Sequence, residues 1–127
     1  MLGLLACKDP SGFAPGDDPK PDPPEPPVPV YPLEGESTEE YGYPQDVVFQ
    51  WQPVAGAFFY EIEVYTDSVL NPGNQYGAVG SITETQAGVG FHTYGTYYWH
   101  VRAGSPNWKW YTDWSELISF HLPNPTR

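Results

Sequence analysis

Cysteine and positive charge are scarce in this chain of 127 residues: one Cys, and five Lys and Arg against 16 Asp and Glu, for a formal net charge of −11. A single Cys7 excludes an internal disulfide, so a folded body must be held by its core alone. A field this negative repels polyanions, which excludes nucleic acid as a natural partner. No apolar run reaches the roughly 18 residues that a membrane-spanning helix needs. Chemistry-bearing motifs are also missing. His92, His100 and His121 follow no zinc spacing. Asp67, Asn71 and Asn74 lack the ligand order of a calcium loop. There is no Gly-x-Ser-x-Gly, no His-Glu-x-x-His and no phosphate-cradling glycine loop. No cofactor, no metal site and no enzymatic activity are expected.

What is present is unevenly distributed. Ten of the 16 prolines lie at or before Pro32, and 20 of the 21 aromatic residues lie at or after Tyr31. The length suits one domain. The expected organisation is a leader segment at 1–7, a Pro-rich acidic linker at 8–30, a folded body at 31–122 and a tail at 123–127. In the linker, prolines remove backbone donors and favour extended forms, and apolar residues are too few to offset the entropy of ordering. Extended as polyproline II, such a linker reaches on the order of 60–70 Å. It is expected to act as a disordered spacer.

Leu4-Leu5-Ala6-Cys7 resembles the lipobox of bacterial lipoproteins: an apolar residue, a loosely restricted one, a small one, then Cys. The resemblance implies cleavage before Cys7 and lipidation of its thiol, with several acyl chains giving firm membrane anchoring. Six residues precede Cys7 and none is basic, so the stretch supplies a cleavage site without the basic and apolar regions of a full signal peptide. The alternative is an ordinary N-terminal thiol. The implied address is the bacterial cell envelope, at the outer membrane or cell surface.

The body is read from alternation. In Gly95–Ala103, Tyr97, Trp99, Val101 and Ala103 fall on one side, with Tyr98, His100 and Arg102 on the other, which is the period of a half-buried strand. Val47, Phe49 and Trp51 alternate with Val48, Gln50 and Gln52, and Pro53 ends that strand. Tyr60, Ile62 and Val64 alternate with Glu61, Glu63 and Tyr65. Ile118, Phe120 and Leu122 alternate with Leu117, Ser119 and His121, and Pro123 stops the last strand. Val30–Leu33, with its proline, suits an edge strand. Asn71-Pro72-Gly73-Asn74 is a turn. Residues 76–82 and 83–89 are weaker, Gly-rich strand candidates, and 104–113 is expected to be a long loop. Short strands, frequent turns and no helical period indicate an all-β sandwich.

This body resembles a fibronectin type III domain, an immunoglobulin-like β-sandwich. Phe49-Gln50-Trp51 is similar to the family's second strand with its buried Trp, and Gly56–Val64 to the third. Gly95–Ala103 is similar to the sixth, with Tyr97 in the place of the tyrosine corner, and Trp114-Ser115-Glu116 through Phe120 to the start of the seventh. The resemblance covers nearly all of 31–122, with the poorest match at 76–90. It implies a structural core that includes Trp51, Tyr60, Tyr97, Trp99 and Trp114, with Trp114 packed back on Arg102. The family's domains serve mostly as spacers or binding modules.

Trp108, Trp110 and Tyr111 are the candidate binding residues. Extended backbone over 108–114 would put Trp108, Trp110 and Trp114 on one face, a row able to stack on sugars or to receive apolar and cationic groups. The competing role is structural cover for Arg102. The Trp110 to Trp114 spacing is one residue longer than in the Trp-Ser-x-Trp-Ser motif of cytokine receptors. Glu61 and Glu63 share a strand face and are expected to pair with Arg102 and His100 on a neighbouring strand rather than to act as a catalytic pair. The leading expectation is a lipid-anchored, non-enzymatic module that binds a protein or serves as a structural module. The alternative is a carbohydrate-binding module that uses Trp108, Trp110 and Tyr111.

Overall fold

The chain forms eight strands, with large side chains alternating with small or polar ones in the four strongest. In the computed structural model, which describes residues 20–39 and 42–125, these are β1 (Pro29–Tyr31), β2 (Glu36–Ser37), β3 (Gln45–Trp51), β4 (Phe59–Tyr65), β5 (Gln75–Ile82), β6 (Gln86–Phe91), β7 (Gly95–Gly104) and β8 (Ile118–Leu122). One sheet has the order β1-β3-β6 and the other β2-β8-β7-β4-β5. Neighbours are antiparallel except β2, which lies parallel to β8. The proposed leader and lipidation site at Cys7, and the linker up to 19, lie outside the described residues. No helix among those described is long and apolar enough to cross a membrane.

The inward rows of β3, β4, β7 and β8 close the sandwich. Val47, Phe49, Trp51, Tyr60, Ile62, Val64, Tyr97, Trp99, Val101, Ile118, Phe120 and Leu122 are all buried, joined by Phe91 and Ala103. Trp99 lies at the centre, its ring 4.9 Å from that of Phe49 in an edge-on contact. Its indole N–H donates to the carbonyl of Pro32 at 3.0 Å, so the polar handle of the largest core side chain is satisfied. The Tyr97 hydroxyl donates to the Thr93 carbonyl at 2.9 Å, tying the β6–β7 turn to the start of β7.

The Gly-rich stretch forms two full strands, β5 and β6, slightly displaced from the expected 76–82 and 83–89. β6 holds six-residue register with β3. β5 carries register shifts near both ends, and Ser81 adopts a positive φ of 56°. Bulges of this kind twist an edge strand and discourage further pairing.

The linker boundary needs correction. The expected spacer runs to residue 30, but Pro27 and Pro29 are buried and β1 begins at Pro29. Upstream, the Val28 carbonyl accepts from Gln52 N at 2.9 Å and the Pro21 carbonyl accepts from Lys109 N at 3.0 Å. Proline rings have apolar area to bury and no N–H to leave unpaired, and an edge position asks for little else.

Candidate binding surface

The outer face of β4 and β7 is set by register. Glu61 lies opposite Arg102 and Glu63 opposite His100. The Glu61 carboxylate accepts from Arg102 Nε at 2.9 Å and lies 2.8 Å from its Nη2. His100 Nε2 lies 2.8 Å from Glu63 Oε1, and the Tyr65 hydroxyl donates to the same oxygen at 2.7 Å. Both carboxylates are therefore occupied by partners within the sheet.

The chain then doubles back. After β7, residues 105–117 return along its outer half without forming a regular strand. Thr112 N donates to Ala103 O at 2.9 Å and Ser115 N to Val101 O at 2.8 Å. In return, the Thr112 hydroxyl accepts from Ala103 N and the Ser115 hydroxyl from Val101 N, each at 3.0 Å. Two side-chain oxygens thus stand where a neighbouring strand would place carbonyls. Each hydroxyl proton goes to the next backbone carbonyl, Asp113 O at 2.8 Å and Glu116 O at 3.0 Å. Buried backbone N–H groups need such partners.

This return path lays rings over the paired charges. Trp114 stacks on the His100 imidazole at 3.9 Å. The Arg102 guanidinium carbon sits 4.4 Å from the Trp114 ring centre and 3.8 Å from that of Tyr111, and Tyr111 meets Phe59 edge-on at 5.8 Å. The outcome is a continuous pile: Tyr65, His100, Trp114, Arg102, Tyr111, Phe59. Phe59 also lies tightly over Gly104, where any Cβ would run into its ring.

Covering that face changes His100. Alternation puts it on the solvent side, yet it is buried, because Trp114 and Tyr65 close over it. Burial holds its pKa below the ordinary value, with the Glu63 carboxylate acting in the opposite direction. Burial, reinforced by Glu63, pushes the Tyr65 hydroxyl up to about 12. A His that resists protonation when folded leaves the unfolded chain binding more protons once the pH falls below about 6.5. Stability is therefore retained above that point and lost as the pH drops toward the folded value. Thermal melts at about pH 7.5 and about pH 5.5 should show this loss, and His100→Gln should narrow the gap. An unchanged gap would remove His100 as its source.

The candidate rings divide between roles. After a turn closed by Trp108 N donating to Ser105 O at 3.2 Å, bends at Trp108, Lys109 and Trp110 break the extended backbone assumed for 108–114, so Trp108, Trp110 and Trp114 do not form a regular row. Trp108 packs over Gly56, whose φ is +83° and where a Cβ would sit 3.5 Å from the indole. Tyr111 covers Arg102. Trp110 is 71% exposed, with no ring or cation contact among the described residues. Lys109 beside it is bonded to Pro21 through its backbone and lies 3.5 Å from the Asp22 carboxylate. His121 lies opposite Thr96, with ring and hydroxyl 2.9 Å apart, four positions along β7 from His100. No group of three or more His, Cys, Asp or Glu among the described residues is placed to hold a metal.

The hydroxyl pair escaped sequence reasoning. Its signal is Tyr111-Thr112-Asp113-Trp114-Ser115: aromatic, hydroxyl, any, aromatic, hydroxyl. Counting from Trp110 hid it, because Tyr111 is the ring that reaches Arg102.

Two solved structures share the architecture. One is an Fn3-like protein from Clostridium thermocellum, with 22% identity over 81% of this chain and 97% of that one, at a TM-score of 0.58. The other is the fibronectin type-III domain of human fibronectin type III domain containing protein 3, with 17% identity over 86% of this chain and 94% of that one, at a TM-score of 0.51. No protein-family profile and no characterised sequence matches the chain.

Proposed function

On a single fibronectin type III-like β-sandwich, we propose a lipid-anchored, non-enzymatic envelope module that binds a protein partner through the segment 105–117, with Trp110 as its contact residue. Domains of this fold are generally binding or structural modules. The observation that carries the reading is an indole 71% exposed on a segment otherwise pinned by backbone, hydroxyl and ring contacts. A large aromatic side chain held in solvent by a rigid support loses little entropy on binding and has area to bury, which makes it a good interface anchor.

The carbohydrate alternative has less support. A sugar platform wants several coplanar free rings, and of the three candidates Tyr111 is engaged by Arg102 and Trp108 by the Gly56 turn. A glycan array probed with the native chain and with Trp110→Ala separates the readings: array binding lost in the variant supports the sugar, and recovery of one envelope protein lost in the variant supports the protein. Trp110→Ala should leave stability within roughly 0.5 kcal/mol of wild type, as for an exposed side chain, while Trp108→Ala should lower the melting temperature. A Trp110→Ala variant that melts several degrees lower would show the ring to be structural.

Anchoring is supported by Leu4-Leu5-Ala6-Cys7 at the head of a Pro-rich segment. Expressed with its native upstream sequence in a bacterial host, the protein should partition into the detergent phase, and Cys7→Ala should not. Equal partitioning would end the lipoprotein reading.

A further inference from the structure

Trp110 being the contact residue of this face, we infer that the partner offers a basic, extended polypeptide segment that lays a lysine or arginine side chain over the Trp110 indole. The inference rests on the binding role given to the 105–117 segment and adds the chemistry of the partner.

The surroundings of the indole favour a cation. A shallow groove of about 390 Å³ runs beside this segment, lined by Pro23, Pro24, Glu25, Pro26 and Asp113. Asp113 follows Trp110 by three residues, and Lys109 on its other side is joined to Pro21 and Asp22. Asp113 of the groove and Trp110 are therefore carried three residues apart on the same segment. Neither Glu25 nor Asp113 is in an ion pair among the described residues. Two cations near this segment are engaged, Arg102 by Glu61 and Lys109 by Asp22; Lys20, next to Pro21, is exposed. The segment and the groove beside it thus present two carboxylates with no ion pair among the described residues, proline rings and a largely exposed indole in a chain of formal net charge −11.

The same segment shows what its rings do when a cation is supplied. Tyr111 and Trp114 hold the Arg102 guanidinium between them at 3.8 and 4.4 Å. Trp110 is the exposed Trp of this run, with no cation over it among the described residues. Attraction of a cation to an aromatic face strengthens with desolvation, which burial of the exposed indole under a partner would supply. Acidic peptides and sulfated glycans would meet Glu25 and Asp113 directly and be repelled. An extended segment suits a shallow groove better than a helix does.

The test uses the full chain and three blocked octapeptides, (Arg-Pro)4, (Gln-Pro)4 and (Glu-Pro)4, with calorimetry and tryptophan fluorescence at about 50 and about 150 mM salt. The (Arg-Pro)4 peptide should bind at least about tenfold more tightly than (Gln-Pro)4 and weaken with salt, and Trp110→Ala should cost about tenfold. Asp113→Asn and Glu25→Gln should each weaken it by about threefold, as rim charges do. Glu36→Gln with Glu39→Gln is the control. Glu36 pairs with Phe120, which faces Tyr97 near the start of β7, at the opposite end from the groove, so this variant should bind as wild type does. Absence of (Arg-Pro)4 binding, or binding reduced by the control variant and untouched by Trp110→Ala, overturns the inference. Binding of (Gln-Pro)4 equal to (Arg-Pro)4 and abolished by Trp110→Ala overturns the cationic partner while Trp110 stands as a contact residue.

Discussion

Trp99→Ala is expected to cost roughly 3–5 kcal/mol of stability, the range for deleting a large buried aromatic ring. Several losses coincide at this position. The ring is fully buried and touches Phe49 edge-on at 4.9 Å, with Trp51 at 6.5 Å between centres, so its removal leaves a void between the two sheets. The Pro32 carbonyl, which accepts its N–H at 3.0 Å, becomes a buried acceptor without a partner. With no disulfide to hold the body, a domain of this size has marginal stability to spare, and the variant should fold partly or not at all. Denaturant unfolding measures it. A loss below about 1 kcal/mol would mean that the core is not centred on Trp99.

The second large effect is expected from the hydroxyls. Thr112→Val with Ser115→Ala keeps shape and removes both acceptors from the Ala103 and Val101 N–H groups. Each orphaned backbone donor costs about 1–3 kcal/mol, and the double variant should lose roughly 2–5 kcal/mol, with incomplete additivity because both positions lie on one segment. The Ser115 and Thr112 backbone bonds to β7 would remain, so the fold should survive at lower stability. A double variant as stable as wild type would show that water replaces the hydroxyls and that the segment is not held by them.

Much of the frame was legible in alternation. The four strongest strands, their inward rows and the pairing of Glu61 with Arg102 and Glu63 with His100 follow from period-2 patterning and the expected order of strands. Phe91 was not read as core, because it ends a strand whose glycines carry no pattern; β6 is specified by pairing with β3 rather than by its own side chains. His100 shows a different limit. Alternation tells which side of a sheet a residue faces and not whether another segment crosses that side. The division of Trp108, Trp110 and Tyr111 depends on the bends at 108–110, and a bend inside a run ends its alternation. Pro29, read as spacer, became the start of β1 because the test for disorder counts apolar side chains and overlooks the area of proline rings.

The account holds that one tryptophan stands free on a pinned segment while the other four are committed to the fold. Fluorine NMR of 5-fluorotryptophan-labelled protein with a soluble paramagnetic agent tests this directly, since each of the five residues gives its own resonance. Assigned by single Trp→Phe variants, the Trp110 signal should be broadened strongly, Trp51 and Trp99 least, and Trp108 and Trp114 in between. A Trp110 resonance as protected as that of Trp99 would contradict the account.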